Sequence, residues 1–115
     1  MRGSRSTPRW LPLQRFIVAD TSMRPALEPG DRVLVLVLCR TRVRPGDLVV
    51  FCRPDQRLTV AIKRVTDVAA DGALTLLGDN PNASTDSRDF GPVPRHLVIG
   101  KAIYRYLPGP RRSRL

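Results

Sequence analysis

Eleven prolines and eight glycines are spread along the 115 residues of this chain, and they limit its fold more than any other feature. Proline has no backbone N–H and breaks helix interiors, whereas glycine is typical of tight turns. The segments between these residues are short and rich in Val, Leu and Ile, which is the pattern of strands joined by turns. The sequence therefore predicts an all-β domain, and its length suffices for one modest core.

The aliphatic segments predict a series of antiparallel strands. We expect strands at 32–39, 47–53, 57–68, 73–78 and 97–107, with 15–19 leading into the fold. A long polar loop at 79–92 interrupts them, and loops of this length in small domains are typically functional or disordered. Its many Asp, Asn and Ser residues favour order, because these side chains bind nearby backbone groups. At most one short helical turn is expected, after residue 22.

The net charge of +10 is concentrated at the two ends of the chain. Eight arginines lie in 1–15 and 105–115, which contain no acidic residue, whereas 16–104 has twelve basic residues against ten acidic ones, a net charge of +2. Such ends favour solubility or weak contacts with acidic partners or lipid, and the nearly neutral body argues against specific nucleic-acid binding. The expected organisation is a basic flexible arm at 1–14, a single β domain at 15–107 and a basic flexible tail at 108–115.

No segment has the length of a membrane span. The longest apolar run, Val33 to Cys39, has seven residues, against the roughly 20 of a spanning helix. The first residues carry arginines and a tryptophan but no apolar stretch of signal-peptide length. We therefore expect a cytoplasmic protein without a transmembrane anchor, with at most weak peripheral membrane contact through its basic tails.

Disulfide and metal chemistry find little support in the composition. Cys39 and Cys52 are the two cysteines, too few for a disulfide framework, although they end two apolar runs that could pair as a hairpin and bring them together. Reduced, partly buried thiols are the expected state in a cytosol. With His96 as the single histidine, the cysteines also fall short of a closed zinc site, so no cofactor is expected.

Ser22 and Lys63 are the candidates for catalytic chemistry. Ser22 stands where the chain turns out of an apolar strand, although such a serine taken alone is more typical of a helix cap. Lys63 alternates along its strand with small and apolar residues, and burial of that face would lower the pKa of its amine. A neutral amine can accept the proton of a serine hydroxyl. A solvated lysine at a strand edge is the alternative.

Five segments resemble the successive conserved boxes of the signal peptidase I family. They are SMRPAL at 22–27, PGD at 29–31, RPGDLVVF at 44–51, AIKRV at 61–65 and GDNPNASTDSRDFG at 78–91. The segments occur in the order of that family and cover 16–107. The resemblance implies an antiparallel signal-peptidase-like catalytic core and a serine endopeptidase that removes an N-terminal leader from a precursor protein.

The resemblance also implies the catalytic roles. Ser22 is similar to the nucleophile of the family and Lys63 to its general base. Ser84, in the polar loop, matches a serine whose hydroxyl orients the lysine amine. Met23 matches a residue of the apolar floor beneath the substrate.

Other matching positions would hold the polar loop in place. Asp86 and Arg88 match a structural ion pair beside the site, and a carboxylate–guanidinium pair is suited to bracing a loop. The turn that opens the loop matches at Gly78, Asp79 and Asn80.

One residue departs from the pattern of the family. Its members commonly have a small or hydroxyl residue two places before the nucleophile, where it can help bind the oxyanion, but here that residue is Asp20. An ionised carboxylate repels developing negative charge. We therefore expect either that Asp20 points away from the site, or that the Ser22 N–H holds the oxyanion with help such as the Thr21 hydroxyl.

Within the family, a short Arg-rich chain whose loop ends STDSRDFGPVP is most similar to the nickel-type superoxide dismutase maturation proteases. This resemblance implies that the substrate is the dismutase precursor, from which a short N-terminal leader is removed. Nickel then belongs to the substrate, and no metal is expected on the protease.

Other interpretations stay open at this point. A self-cleaving repressor-type domain shares the Ser–Lys pattern, but its internal cleavage segment and its DNA-binding domain are not visible in the sequence. A Ser–His–Asp triad would have to use His96, which lies in a turn. The chain could also be a basic binding module for nucleic acid, or an inactive protease fold because of Asp20.

Overall fold

The computed structural model describes residues 12–37 and 42–115. Their strands form one antiparallel sheet, and the helical segments are single short turns, which confirms the all-β fold class. A one-turn helix, α1 (Ser87–Phe90), lies in the polar loop, whereas the chain after residue 22 makes a turn without becoming a helix. The strands are β1 (Leu13–Ile17), β2 (Arg32–Leu36), β3 (Leu48–Cys52), β4 (Val60–Val68), β5 (Leu74–Leu77), β6 (Val98–Leu107) and β7 (Ser113–Arg114).

The strand order is β1-β2-β6-β3-β4-β5, with β7 beside β6. β2 and β3 are therefore not hairpin partners, because β6 lies between them and pairs with both. Leu48 to Phe51 are all buried, so the backbone groups at both edges of β3 need partners within the protein. Of the two cysteines, Cys52 is a partly buried free thiol, and Cys39 lies outside the described residues.

Two of the predicted strands, those at 32–39 and 57–68, differ from the observed strands by three residues at one end, whereas those at 47–53, 73–78 and 97–107 differ by a single residue at one or both ends. β4 begins at Val60 rather than at residue 57, because the preceding residues close a turn in which the Arg53 N–H donates to the Thr59 carbonyl. β2 ends at Leu36, and the remainder of the predicted 32–39 strand falls partly outside the described residues.

The core has two parts, one on each face of β3. Leu48 and Val50 belong to a cluster that includes Met23 and Leu27, so this face of the sheet holds the turn that carries Ser22. Val49 and Phe51 belong to the other cluster, which lies against Phe90 of α1. The two segments that carry the candidate residues are thus anchored on opposite faces of the central strand.

The last residues of the chain are ordered where the sequence predicted a flexible tail. A 3-10 turn over Gly109–Arg111 leads into β7, which pairs with β6. Arg105 and Arg111 both form ion pairs with Asp31, at 3.4 and 3.1 Å. Asp31 is only 2% exposed, and a buried carboxylate requires such partners. Arg105 and Arg111 therefore neutralise a buried carboxylate of the fold.

Candidate active site

Ser22 lies in the turn between β1 and β2. The Leu27 N–H donates to the Met23 carbonyl, and both side chains are fully buried, so the core fixes this turn directly after the serine. Ser22 itself is only 1% exposed, so the candidate nucleophile is buried.

Lys63 lies in β4, opposite Val49 of β3. The side chain is 3% exposed, and its Nζ lies 2.9 Å from Ser22 Oγ. Ala61 and Val65, which share its face of the strand, pack in the second core cluster. The amine therefore lies on a buried face of β4 and not on a solvated strand edge, the two possibilities that the sequence left open.

Burial lowers the pKa of the Lys63 amine below its usual value, because the ammonium form loses its hydration. The carboxylates of Asp20 and Asp86 oppose this shift, while the guanidinium of Arg53 reinforces it. The net lowering of the pKa makes the neutral amine more accessible than in a solvated lysine, and this is the form that can take a proton from Ser22 Oγ. The pair has the contact, the burial and the electrostatics of a nucleophile with its general base.

The polar loop begins by binding the backbone of the serine turn. The Asn80 N–H donates to the Ser22 carbonyl at 2.8 Å, and Asn80 Nδ2 donates to the Thr21 carbonyl at 3.0 Å. Asp79 accepts two hydrogen bonds from Arg64, the residue after Lys63, at 2.9 and 2.8 Å. Two adjacent residues of the loop therefore connect the serine turn to the strand that carries the lysine.

Asp86 organises the remainder of the loop. It is fully buried and accepts hydrogen bonds from the Gly78 N–H, the Ser84 hydroxyl and the Arg88 guanidinium. It also caps α1 by accepting from the Arg88 N–H, while Asp89 binds the Asp86 N–H in return. Burial alone would raise the pKa of Asp86, but these hydrogen bonds, led by that of Arg88, hold it well below its usual value.

The contacts of Ser84 and Met23 differ from those that the family resemblance implied. Ser84 Oγ donates to Asp86 at 2.7 Å, and the hydrogen bonds of the described residues do not link it to Lys63. Met23 is fully buried within the core, so it supports the serine turn from below. The Asp86–Arg88 ion pair is present beside the site.

Gly78 lies where the loop and the serine turn approach most closely. A Cβ on this residue would lie 2.2 Å from Ser84 Oγ and 2.7 Å from the Ser22 carbonyl oxygen. Both distances are shorter than any ordinary contact of a methyl group. Glycine is therefore required here for space, because it allows the two segments to pack backbone against backbone.

Asp20 does not point away from the site. Its Oδ1 accepts a hydrogen bond of 3.0 Å from the Ser22 N–H, the donor that the sequence assigned to the oxyanion. The Thr21 carbonyl accepts from Asn80 and from the Arg24 N–H, which fixes the backbone between them. The structure thus adds a third arrangement to the two that the sequence suggested.

Arg53 is a contributor to the site that sequence reasoning missed. It stacks over the ring of Phe90, with its guanidinium carbon 5.8 Å from the ring centroid, and forms an ion pair with Asp55. Its charge helps to lower the pKa of Lys63. Arg53 directly follows β3, which pairs with β4. Prediction of this strand pairing could have indicated that Arg53 lies near Lys63.

His96 is exposed and lies on a 3-10 turn, Arg95–Leu97, and the side chain in contact with Ser22 Oγ is that of Lys63. Within residues 12–37 and 42–115, no group of three or more His, Cys, Asp or Glu side chains could hold a metal ion. In the same residues, no helix is long and apolar enough to span a membrane.

Comparisons with known proteins agree with this geometry. A family model described as signal peptidase, peptidase S26, matches residues 7–72 and 66–107. The chain is 32% identical to the mitochondrial ATP-independent inner membrane protease subunit 1a of Arabidopsis thaliana, over 82% of this chain and 73% of the relative. It is 30% identical to the mitochondrial inner membrane protease subunit 1 of Xenopus tropicalis, with coverage of 73% and 65%. It is 29% identical to the probable signal peptidase I-1 of Synechocystis sp., with coverage of 88% and 74%.

These relatives correct one expectation. The predicted cytoplasmic location is wrong, because the relatives include proteases that are named for the inner mitochondrial membrane. None of the three is named as a dismutase maturation protease, so the resemblance is shown at the level of the signal peptidase family. The chain spans about two thirds to three quarters of the length of these relatives.

Proposed function

The chain belongs to the signal peptidase family, peptidase S26, and on this premise we propose that it is a serine endopeptidase that removes leader segments from precursor proteins with Ser22 and Lys63. The observation that carries the proposal is the distance of 2.9 Å between Lys63 Nζ and Ser22 Oγ, with both side chains almost completely buried. Membership of the family supports a peptidase, and the contact supports the assignment of the two residues.

In the first half of the reaction, the neutral Lys63 amine accepts the proton of Ser22 Oγ as this oxygen attacks the scissile carbonyl carbon. The carbonyl oxygen becomes an oxyanion, for which the Ser22 N–H is the nearest backbone donor. When the tetrahedral intermediate collapses, the Lys63 ammonium gives its proton to the leaving amine. The products are a free amine and an ester between Ser22 and the leader.

In the second half, Lys63 accepts a proton from water, the resulting hydroxide equivalent attacks the ester carbonyl, and Ser22 Oγ recovers its proton from the ammonium. The site performs both halves with one base because the amine is neutral at the start of each. We expect the substrate to bind in an extended conformation, adding its backbone to an edge of the sheet.

The test is cleavage of a precursor by Ser22→Ala, Lys63→Ala and Lys63→Arg, with Lys101→Arg as the matched control. Lys101 is the other lysine of the chain and forms an ion pair with Asp47, so this control makes the same chemical change outside the proposed pair. We expect the first three variants to be inactive. The two alanine variants lack the nucleophile or the base, and the guanidinium of Lys63→Arg does not release its proton. The control should cleave at the wild-type rate.

Activity in the Lys63→Arg variant would show that this lysine is not the base. Activity in Ser22→Ala would remove the serine from the mechanism. Equal inactivity of the wild-type and variant proteins towards a range of precursors would favour an inactive protease fold.

A narrower proposal concerns the substrate. The loop sequence STDSRDFGPVP supports the precursor of a nickel-type superoxide dismutase, whereas the relatives support signal-peptidase-like processing in general. We favour the general activity. Incubation with the dismutase precursor and with a secretory precursor, followed by the mass of each N-terminus, separates the two proposals: cleavage of the dismutase precursor alone would establish the narrower one.

A further inference from the structure

We propose that Asp20 competes with the substrate for the oxyanion site, so that the resting enzyme is closed until the substrate displaces this carboxylate from the Ser22 N–H. The inference rests on the proposed function, because it concerns the step in which Ser22 attacks a carbonyl. It makes Asp20 a residue that sets the rate of the reaction without taking part in bond exchange.

The geometry places the carboxylate where an oxyanion is needed. Asp20 Oδ1 lies 3.0 Å from Ser22 N, within the 2.7–3.1 Å or so that separates a donor from the oxyanion that it stabilises. One N–H cannot serve both anions in this geometry. A substrate carbonyl that approaches Ser22 must therefore move the carboxylate before its own oxygen can be stabilised.

The burial of the two residues indicates that this contact can open. Ser22 is 1% exposed, whereas Asp20 is exposed to solvent, so rotation of the Asp20 side chain would release it into water. The ion pairs of the described residues do not include Asp20 with any arginine or lysine. The hydrogen bond to the Ser22 N–H is thus the contact that holds the carboxylate at the site.

Asp20 has a second effect through Lys63. The charged groups that act on the Lys63 amine are Asp20 and Asp86, which favour the ammonium, and Arg53, which disfavours it. Removing Asp20 takes away one of the two opposing carboxylates. The neutral base then persists to lower pH, in addition to the release of the oxyanion donor.

The experiment compares wild-type protein with Asp20→Ser and Asp20→Asn on one peptide that spans a precursor cleavage site. Serine removes the charge and offers a hydroxyl donor, and asparagine removes the charge with little change of shape. The control is Asp67→Asn, an equal change of charge at an exposed position of β4. We measure kcat and KM separately, together with kcat/KM as a function of pH.

We expect kcat of Asp20→Ser to rise about tenfold or more, since a single oxyanion donor accounts for roughly 10²–10³ in rate. The acid limb of kcat/KM should move to lower pH in both Asp20 variants. Neither change should occur in Asp67→Asn. Unchanged kcat and pH profiles, or a loss of activity in both Asp20 variants, would overturn the inference while leaving the proposed function intact.

A second measurement does not depend on turnover. In nitrogen-15-labelled protein at neutral pH, the Ser22 amide proton should resonate further downfield in the wild type than in Asp20→Ala, because a hydrogen bond to a carboxylate deshields it. An identical Ser22 amide resonance in the two proteins would show that the contact is absent in solution. Inactivity of every variant, including wild type, would instead contradict the proposed function itself.

Discussion

Replacing Gly78 with alanine should slow cleavage by displacing Ser22, the proposed nucleophile. The added Cβ would lie 2.7 Å from the Ser22 carbonyl oxygen and 2.6 Å from Ser84 Cβ. Since ordinary contacts of a Cβ begin at about 3.4 Å, the serine turn or the loop must retreat by roughly 0.7 Å, a displacement on the scale at which misplacement costs about 10²-fold in rate. We therefore expect kcat to fall about 100-fold.

The same substitution should destabilise the fold, because overpacking of a well-filled interior typically costs about 1–3 kcal/mol. Gly109→Ala is the matched control, since a Cβ at that position meets no atom within 4 Å. We would measure peptide cleavage and urea unfolding for both variants. A folded Gly78→Ala protein that cleaves at the wild-type rate would refute the claim that this close approach fixes Ser22.

Four further predictions follow from the same contacts. Lys63→Met should be more stable than wild type at pH 7. Burial lowers the pKa of Lys63 below 10.5, so the unfolded wild-type chain binds a proton more readily than the folded one, and wild-type stability rises as the pH approaches 10.5. The difference in unfolding free energy between variant and wild type, measured in urea, should therefore shrink towards that pH. Asp86→Ala should lower the free energy of unfolding by about 3 kcal/mol at pH 7, through loss of the helix cap and the unpaired Gly78 N–H. This loss should shrink as the pH falls below the unfolded-state pKa of 3.8, because the unfolded wild-type chain then binds a proton that the folded carboxylate, with its lower pKa, does not yet bind. Arg53→Gln should move the acid limb of kcat/KM to higher pH, because the arginine lowers the pKa of Lys63; an unmoved limb would remove it from the site. His96→Ala should leave kcat unchanged, and a large loss in a peptide assay would revive the histidine triad.

Local sequence patterns predicted the features that depend on neighbours along the chain. Strand alternation grouped Lys63 with small and apolar residues on one face of β4, and the Asp86–Arg88 spacing suits the ion pair that the structure contains. The position of Ser22 after a strand also predicted its turn. What alternation could not give was the burial of its hydroxyl, because the segments that cover Ser22 come from other parts of the chain.

The features that escaped prediction depend on long-range pairing or on backbone angles. Asp31 with Arg105 joins residues 74 positions apart, which no local pattern encodes. The influence of Arg53 on Lys63 requires β3 and β4 to pair in one particular register. The Asp20 contact with the Ser22 N–H depends on the local dihedral angles of the turn. The residue type therefore indicated repulsion between a carboxylate and the oxyanion, but not where the carboxylate lies.

The insertion of β6 between β2 and β3 has a consequence for the moment at which the enzyme becomes active. Ser22 follows β1 and precedes β2, whereas Lys63 belongs to the β3–β4 pair, and in the sheet these two units are joined through β6, residues 98–107. During synthesis the ribosome makes both units well before it makes the strand that joins them. A nascent chain therefore lacks the strand that pairs with both units, and we expect the proposed Ser22–Lys63 pair to become stable once β6 has been translated and has docked.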